Sequence, residues 1–315
     1  MAPRVFIDGE AGTTGLQIRQ RLEGRRDLHL VSIDPDRRKD AGARAELLNG
    51  SDAVVLCLPD EAAIEAVSLV ESNSVRVIDA STAHRTAPGW AYGFPEMAAG
   101  QRAAIAVSTR ISNPGCFPTG FIALVRPLVD AALIPADWPI TVSAVSGYSG
   151  GGKAMIAEFE DPAAPGYTTV PYRIYAMGLE HKHVPEMQRH AGLQHRPVFT
   201  PSVGRYLKGM IVEVPLNLAA LPASPSLNQL RETLADAYAA ETFVEVASRE
   251  QTSSVNTLDP EGLNGTNRMR LFVFGSERHR QARLVALLDN LGKGASGAAV
   301  QNLNLALGLP EAAGL

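Results

Sequence analysis

Cysteine is scarce: two in 315 residues cannot form a disulfide framework. A reducing compartment would keep both as thiols, and a cytoplasmic location is expected. Positive charge is not in excess, since 29 Lys and Arg stand against 33 Asp and Glu for a net charge of −4. No polyanion-binding surface follows from that balance, and nucleic acid is not an expected partner. Long apolar runs are also missing. The best stretch, Phe121 to Ile134, carries Arg126, Pro127 and Asp130 and falls short of the ~18 uninterrupted apolar residues of a membrane helix. The chain passes from Arg4 straight into Val5-Phe6-Ile7, which leaves no room for a secretory apolar region. Internal repeats and low-complexity linkers are lacking too, so two closely associated domains are expected.

What is present is ordered as two halves. Through residue 108, short β-branched runs alternate with helical patterns, the signature of βαβ units and a parallel sheet. Strands are expected at Arg4–Asp8, His29–Ile33, Ala53–Leu58, Val75–Ile78 and Ala104–Ser108, with helices over Thr14–Leu22 and Glu61–Val70. Beyond it the pattern changes to a helix from about Pro118, an alternating run Ile140–Val145, and strands at Met210–Val214, Phe243–Val246, Leu271–Phe274 and Leu284–Leu288. The fold class is therefore α/β: a Rossmann dinucleotide-binding domain over 1–115, then an α+β catalytic and oligomerisation domain over 116–293 with a mixed, mostly antiparallel sheet. Small apolar residues from Gly294 to Leu309 predict a close-packed C-terminal helix.

The first chemical signal joins the first strand to the first helix: Asp8-Gly9-Glu10-Ala11-Gly12-Thr13-Thr14-Gly15. Glycines admit a pyrophosphate to the backbone, the helix start offers N–H groups and partial positive charge, and Thr13 and Thr14 can donate hydroxyls. The spacing is GxxGxxG rather than GxGxxG, and such a pattern also occurs in ordinary strand-helix turns. About twenty residues on, where the ribose partner is expected, Asp34 favours NAD. Ser32 with Arg37, Arg38 and Lys39 instead offers charge-assisted contacts to the 2′-phosphate of NADP, unless the cations form only a solvated loop. With three adjacent cations beside Ser32, NADP(H) is the expected cofactor. Leu58 and Pro59 are placed on the adenine side of the crevice, and Cys57 reads as a small buried residue.

The second signal is Ser112-Asn113-Pro114-Gly115-Cys116-Phe117-Pro118-Thr119-Gly120. Asn-Pro-Gly makes a tight turn, Pro118 suits a first helical turn, and Phe121, Leu124, Val125 and Leu128 continue at helical spacing. Cys116 then sits at a helix N-terminus, where the dipole and free N–H groups favour a thiolate and make the sulfur a nucleophile.

These two segments resemble the N-acetyl-γ-glutamyl-phosphate reductase family, relatives of the aspartate-semialdehyde dehydrogenases. Further matches are Asp79-Ala80-Ser81-Thr82-Ala83-His84-Arg85, Tyr92-Gly93-Phe94-Pro95-Glu96, Ser146-Gly147-Tyr148-Ser149-Gly150-Gly151-Gly152-Lys153, His181-Lys182-His183-Val184-Pro185-Glu186 and the run from Asn290 to Asn302. The length and the central glycine loop resemble the short, type 2 form. His84-Arg85 departs from the Asp-Phe-Arg of longer members. The resemblance implies NADPH-dependent reduction of an acyl phosphate to an aldehyde through a Cys116 thioester, in arginine biosynthesis. It places the base in His181-x-His183, with His183 expected as the base and His181 as a substrate contact. It implies substrate contacts from Arg85 and Asn113, cofactor contacts from Ser81, Ser149, Gly150 and Asn290, and a homodimer or homotetramer. The chemistry is coherent, because a thiolate displaces phosphate readily and a thioester accepts hydride where a carboxylate does not. Alternation in an extended segment would put both imidazoles on one face, where zinc is the alternative occupant, but no third ligand stands at a recognisable spacing. Other readings are an aspartate-semialdehyde dehydrogenase-type reductase of the same chemistry, a non-catalytic NADP-binding regulator, or a cysteine hydrolase. The last would need no glycine loop.

Overall fold

A computed structural model describes residues 2–315. The chain divides into two compact units: residues 1–95, 99–115 and 295–315 form the first, and residues 96–98 and 116–294 the second.

In the first unit, β1 (Arg4–Asp8), α1 (Thr13–Leu22), β2 (His29–Val31), α2 (Ala41–Asn49), β3 (Ala53–Leu56), α3 (Asp60–Ser68), β4 (Arg76–Asp79), β5 (Ala91–Tyr92), α4 (Gln101–Val107) and β6 (Arg110–Ser112) follow in order. The six strands make a wholly parallel sheet, β2-β1-β3-β4-β6-β5. Strand alternation divides the core between its two faces. Val5, Ile7, Val55 and Ile78 join Ile18 and Leu22 of α1 and Ile105 of α4, while Phe6, Val54, Leu56 and Val77 join Leu48 of α2 and Ala63 and Ala66 of α3. Helices therefore cover both faces, the doubly wound arrangement. The order reverses between β1 and β3, so the loop after β1 and Cys57-Leu58-Pro59 after β3 meet at the switch point, where open α/β sheets bind ligands.

Of residues 104–108, expected as a strand, 104–107 lie in α4 instead and Ser108 is its C-cap. Only Ile105 of α4 is buried, so one helical contact rather than an alternating face anchors this alanine-rich segment. The strand beside β4 is the shorter Arg110-Ile111-Ser112. Helix α2, which no sequence pattern announced, starts at Asp40, whose carboxylate accepts from Ala43 N at 2.6 Å.

The second unit runs α5 (Cys116–Asp130), β7 (Thr141–Gly147), α6 (Gly152–Glu160), β8 (Tyr172–Ile174), α7 (Val184–His190), β9 (Val198–Gly204), β10 (Met210–Asn217), α8 (Leu227–Ala237), β11 (Val244–Val246), α9 (Arg249–Ser253), β12 (Met269–Ser276) and β13 (Gln281–Leu288). Its sheet, β11-β12-β13-β10-β7-β9-β8, is mixed: β11 with β12 and β7 with β9 are parallel, and the other pairs antiparallel. Helix α5 lies on β10 and β13 through a fully buried apolar face that includes Phe121, Leu124, Val125 and Leu128. Gly120 permits this approach, because a Cβ there would stand 2.8 Å from Val212 Cγ2. The chain ends in α10 (Gly297–Leu307), shorter than the helix expected from 294, since residues 292–296 form a π-helical turn. Val300 and Leu303 of α10 are fully buried in the first unit's core.

Candidate active site

In the first unit, the candidate dinucleotide residues gather at the C-terminal edge of the parallel sheet. Gly9 has φ +87°, and a Cβ on it would lie 2.4 Å from the carbonyl oxygen of Cys57. A Cβ on Gly15 would lie 2.5 Å from Gly9 O, so the loop closes this tightly only with glycine. Gly12 is the N-cap of α1 without a side-chain cap, and Thr13 and Thr14 open the helix, so its first N–H groups face outward from the sheet edge. A backbone cradle with an uncapped helix start fits a pyrophosphate. Leu58 and Pro59 follow β3 on the other side of the switch point. Buried Ser81 donates to Asp79 Oδ2 at 2.8 Å, and the same carboxylate oxygen lies 2.6 Å from His84 Nδ1. His84 in turn stacks on Trp90, with ring centroids 4.0 Å apart.

Ser32 follows β2 directly, and Arg37 and Arg38 are exposed in the next turn. Asp34 turns back into that turn, where its Oδ1 accepts from Asp36 N at 3.0 Å. Arg19 of α1, which the sequence did not single out, donates to Ser32 Oγ at 2.6 Å and to Glu10 Oε2 at 2.5 Å.

Arg85 and Asn113 are both buried in this unit. Arg85 donates from Nε to the Asn113 carbonyl at 3.0 Å and from Nη2 to the Ala80 carbonyl at 3.1 Å. The Asn113 side chain donates to Ala295 O at 3.0 Å and accepts from Asn302 Nδ2 at 3.0 Å. Arg85 and Asn113 thus order the Ser112–Gly115 turn, whatever else they bind.

In the second unit, Cys116 is the first residue of α5, so the sulfur stands beside helix N–H groups that have no intrahelical acceptor. The turn Lys293-Gly294 lies against it: a Cβ at Gly294 would come within 2.7 Å of Cys116 Cβ. That turn is fastened by a buried ion pair, Lys293 Nζ to Glu96 Oε1 at 2.7 Å.

His181 and His183 are not in an extended segment, as alternation had suggested. They lie in the turn that leads into α7, with His183 as its N-cap in helical backbone geometry (φ −87°, ψ −10°). The turn still brings the imidazoles together, with centroids 4.8 Å apart. Phe117, next to Cys116, presents its ring to both at 5.9 Å, and Phe199 meets His181 at 5.1 Å. His181 Nδ1 accepts from His183 N at 3.1 Å, and its Nε2 faces Tyr175 Oη at 3.5 Å. Burial, with the Lys182 charge adding, pushes the His181 imidazole down to about 4. The ring is therefore neutral near pH 7. Because Nδ1 is the acceptor, its proton resides on Nε2. Burial and the Cys116 charge push the Tyr175 phenol up, so it remains a hydrogen-bond donor. Tyr175 was missed because it sits in a loop with no periodic signal.

Ser149, Gly150 and Asn290 also cluster in this unit. Asn290 Nδ2 donates to Ser149 Oγ at 3.0 Å, its Oδ1 accepts from Gly209 N at 2.8 Å, and a Cβ on Gly150 would sit 3.6 Å from Asn290 Nδ2.

Comparison with known proteins adds three findings. Residues 116–290 match the semialdehyde dehydrogenase dimerisation domain, and residues 36–105 match the semialdehyde dehydrogenase NAD-binding domain. N-acetyl-gamma-glutamyl-phosphate reductases from Brucella ovis and Brucella abortus are 56% identical over 309 residues, covering 98% of this chain and 100% of theirs. Among solved structures, aspartate semialdehyde dehydrogenase II from Vibrio cholerae shares the fold with a TM-score of 0.70 at 17% identity, over 98% of this chain and 99% of that one. Aspartate semialdehyde dehydrogenase with NADP from Candida albicans aligns with a TM-score of 0.65 at 13% identity, over 97% and 98%.

Proposed function

Because the chain belongs to the N-acetyl-γ-glutamyl-phosphate reductase family of the semialdehyde dehydrogenases, we propose that it reduces N-acetyl-L-glutamyl 5-phosphate to N-acetyl-L-glutamate 5-semialdehyde through a thioester on Cys116. In this reading it serves arginine biosynthesis in the cytoplasm, with NADPH as reductant. The observation that carries it is Cys116 at the start of α5, beside a helix-end field of N–H groups, in the unit that also holds the paired imidazoles.

Cys116 Sγ forms a bond to the acyl carbon, the carbon–oxygen bond to phosphate breaks, and inorganic phosphate leaves with that electron pair. The dinucleotide, when held by the first unit, would supply the hydride for the thioester carbon. Hydride addition leaves an oxyanion that takes a proton from the His183 imidazolium, and the same imidazole removes that proton again as the carbon–sulfur bond breaks, releasing aldehyde and restoring the thiolate. His181, neutral with its proton on Nε2, and the Tyr175 hydroxyl are donors for the oxygen of the reacting carbon. Within the first unit, Asn113 is assigned as a substrate carbonyl contact and Arg85 as a bidentate partner for the phosphate or carboxylate. The first unit is assigned to the dinucleotide through Gly9, Gly12, Thr13, Thr14, Gly15, Ser32, Arg37, Arg38, Leu58, Pro59 and Ser81, and the second adds Ser149, Gly150 and Asn290. The chain is assigned to a homodimer or homotetramer, a reading supported by the dimerisation-domain match and by exposed Tyr172, Ile174 and Met177 on the outer strand β8 and the loop after it.

The test is nicotinamide absorbance in the reverse direction, with NADP⁺, N-acetylglutamate 5-semialdehyde and phosphate or arsenate, beside aspartate semialdehyde and an NAD⁺ control. Reduction with the acetylated aldehyde, lost without the oxyanion or in Cys116→Ser, is expected. Turnover of aspartate semialdehyde alone would transfer the reading to the related dehydrogenases. No turnover of either would overturn the chemistry.

A further inference from the structure

The guanidinium that stands at the end of β2 comes from α1 rather than from the cation run that follows that strand. In a parallel dinucleotide fold the adenine ribose lies beyond the end of the second strand. Here β2 ends at Val31, and the first side chain beyond it is the exposed hydroxyl of Ser32. The guanidinium that meets this hydroxyl belongs to α1: Arg19 Nη1 stands 2.6 Å from Ser32 Oγ. Among the described residues the Arg37 and Arg38 side chains meet no such partner, and Arg37 makes a 3.9 Å exposed ion pair with Asp40. Asp34, the acidic residue placed to bind a ribose hydroxyl, has one carboxylate oxygen engaged by Asp36 N within its own turn.

The group that Arg19 and Ser32 share is an anion. Glu10 Oε2 accepts from Arg19 Nη1 at 2.5 Å and from Ser32 Oγ at 3.2 Å, so a guanidinium and a hydroxyl converge on one carboxylate oxygen. That carboxylate belongs to the glycine loop, one residue after Gly9. Two donors converging on an anionic oxygen is the geometry in which a guanidinium binds a phosphate oxygen, and a phosphate monoester carries more negative charge than a carboxylate.

We propose that Arg19, with Ser32, is the specificity determinant for the 2′-phosphate of NADP(H), and that Glu10 is an internal anion which that phosphate displaces. This inference rests on the dinucleotide reading of the first unit. It makes the discrimination two-sided. A phosphorylated ribose releases Glu10 and takes its donors, whereas an unphosphorylated ribose offers nothing to displace it and leaves Arg19 paired.

The test is calorimetric titration of the full-length protein with adenosine 2′,5′-bisphosphate and with ADP, which reads binding without turnover. The wild type is expected to prefer the 2′-phosphorylated probe. Arg19→Leu should weaken that probe by roughly tenfold or more, as loss of a charge-assisted contact does, and leave ADP within about twofold. Glu10→Gln should tighten the 2′-phosphorylated probe several-fold and leave ADP unchanged. Arg19→Gln serves in place of Arg19→Leu if the latter does not fold, as judged by circular dichroism. Equal loss of both probes in the Arg19 variants would make Arg19 structural and overturn the proposal. So would an unchanged preference in Glu10→Gln, or a larger effect from Arg37→Ala or Arg38→Ala. A wild type that binds neither probe would instead sink the dinucleotide reading itself.

Discussion

Burial, with the Lys182 charge adding, holds the His181 imidazole well below its ordinary value and makes it a pH-sensitive residue of the site. Its imidazole titrates near 4 in the folded chain against an ordinary value of about 6.5, so between those values the unfolded chain binds more protons. Stability supplied by the neutral ring is complete above about pH 6.5 and is lost as pH falls toward 4. Thermal melts across that interval should show the wild type weakening on acidification, and His181→Asn should lose part of that slope; an unchanged slope would refute the assignment. The two thiols should differ as sharply. Burial, reinforced by the Asp79 and Asp8 carboxylates, pushes Cys57 up to about 12. At pH 8 its thiolate fraction is then on the order of one in ten thousand. Iodoacetamide should add one equivalent by intact mass, and none in Cys116→Ser. Labelling of Cys57 in the folded wild type would contradict this.

Among the elements, the π-helical turn before α10 bears directly on the nucleophile. It brings Gly294 so near that a methyl group there would overlap Cys116 Cβ at 2.7 Å, so either the turn or the first residue of α5 must move. A displacement of about 1 Å at a reacting group costs on the order of 100-fold in turnover. Gly294→Ala is therefore expected to lower kcat by about that factor while the far-ultraviolet circular dichroism stays native; full activity would show that the turn yields freely. Helix α10 makes a different contribution, since Leu303 is fully buried against the parallel sheet with Val300 and Ala299. Leu303→Ala should destabilise the chain by about 2–5 kcal/mol, read by urea unfolding. A cost below about 1 kcal/mol would mean that the site collapses around the smaller side chain.

At the scale of the whole molecule, the outer strand β8 is only three residues long and leaves Tyr172 and Ile174 more than half exposed, at 56% and 55%. Met177, in the following loop, is 70% exposed. A short edge strand with apolar side chains facing outward is a surface that association would cover. Light scattering coupled to size exclusion should give a multiple of the 33.5 kDa chain mass. Tyr172→Asp combined with Ile174→Asp should reduce that multiple, and an unchanged mass would move the association surface elsewhere.

Legibility in the sequence followed the range of the interactions. The apolar run Val5-Phe6-Ile7 was legible as a strand, and strand geometry alone sends its successive side chains to opposite faces of the parallel sheet. The start of α5 at Cys116 was readable because Pro118 and the apolar residues from Phe121 at helical spacing are local signals. Residues 104–108 misled because a short apolar run is ambiguous by itself, and only its neighbours decide whether one buried Ile105 anchors a helix or a strand. The paired imidazoles were legible as a pair, but their placement in a turn was not, since the N-cap of α7 depends on where that helix docks. Nothing local joins Arg19 to Ser32, Tyr175 to His181, or Asn113 to Asn302, the last separated by 189 residues. The sequence by itself determined the periodicities, the glycine loop and the turn before the nucleophile, all encoded within one or two turns of chain. Only the tertiary structure decided which distant donors share an anion and which ring nitrogen keeps its proton, because those depend on three-dimensional contact and burial that no local pattern records.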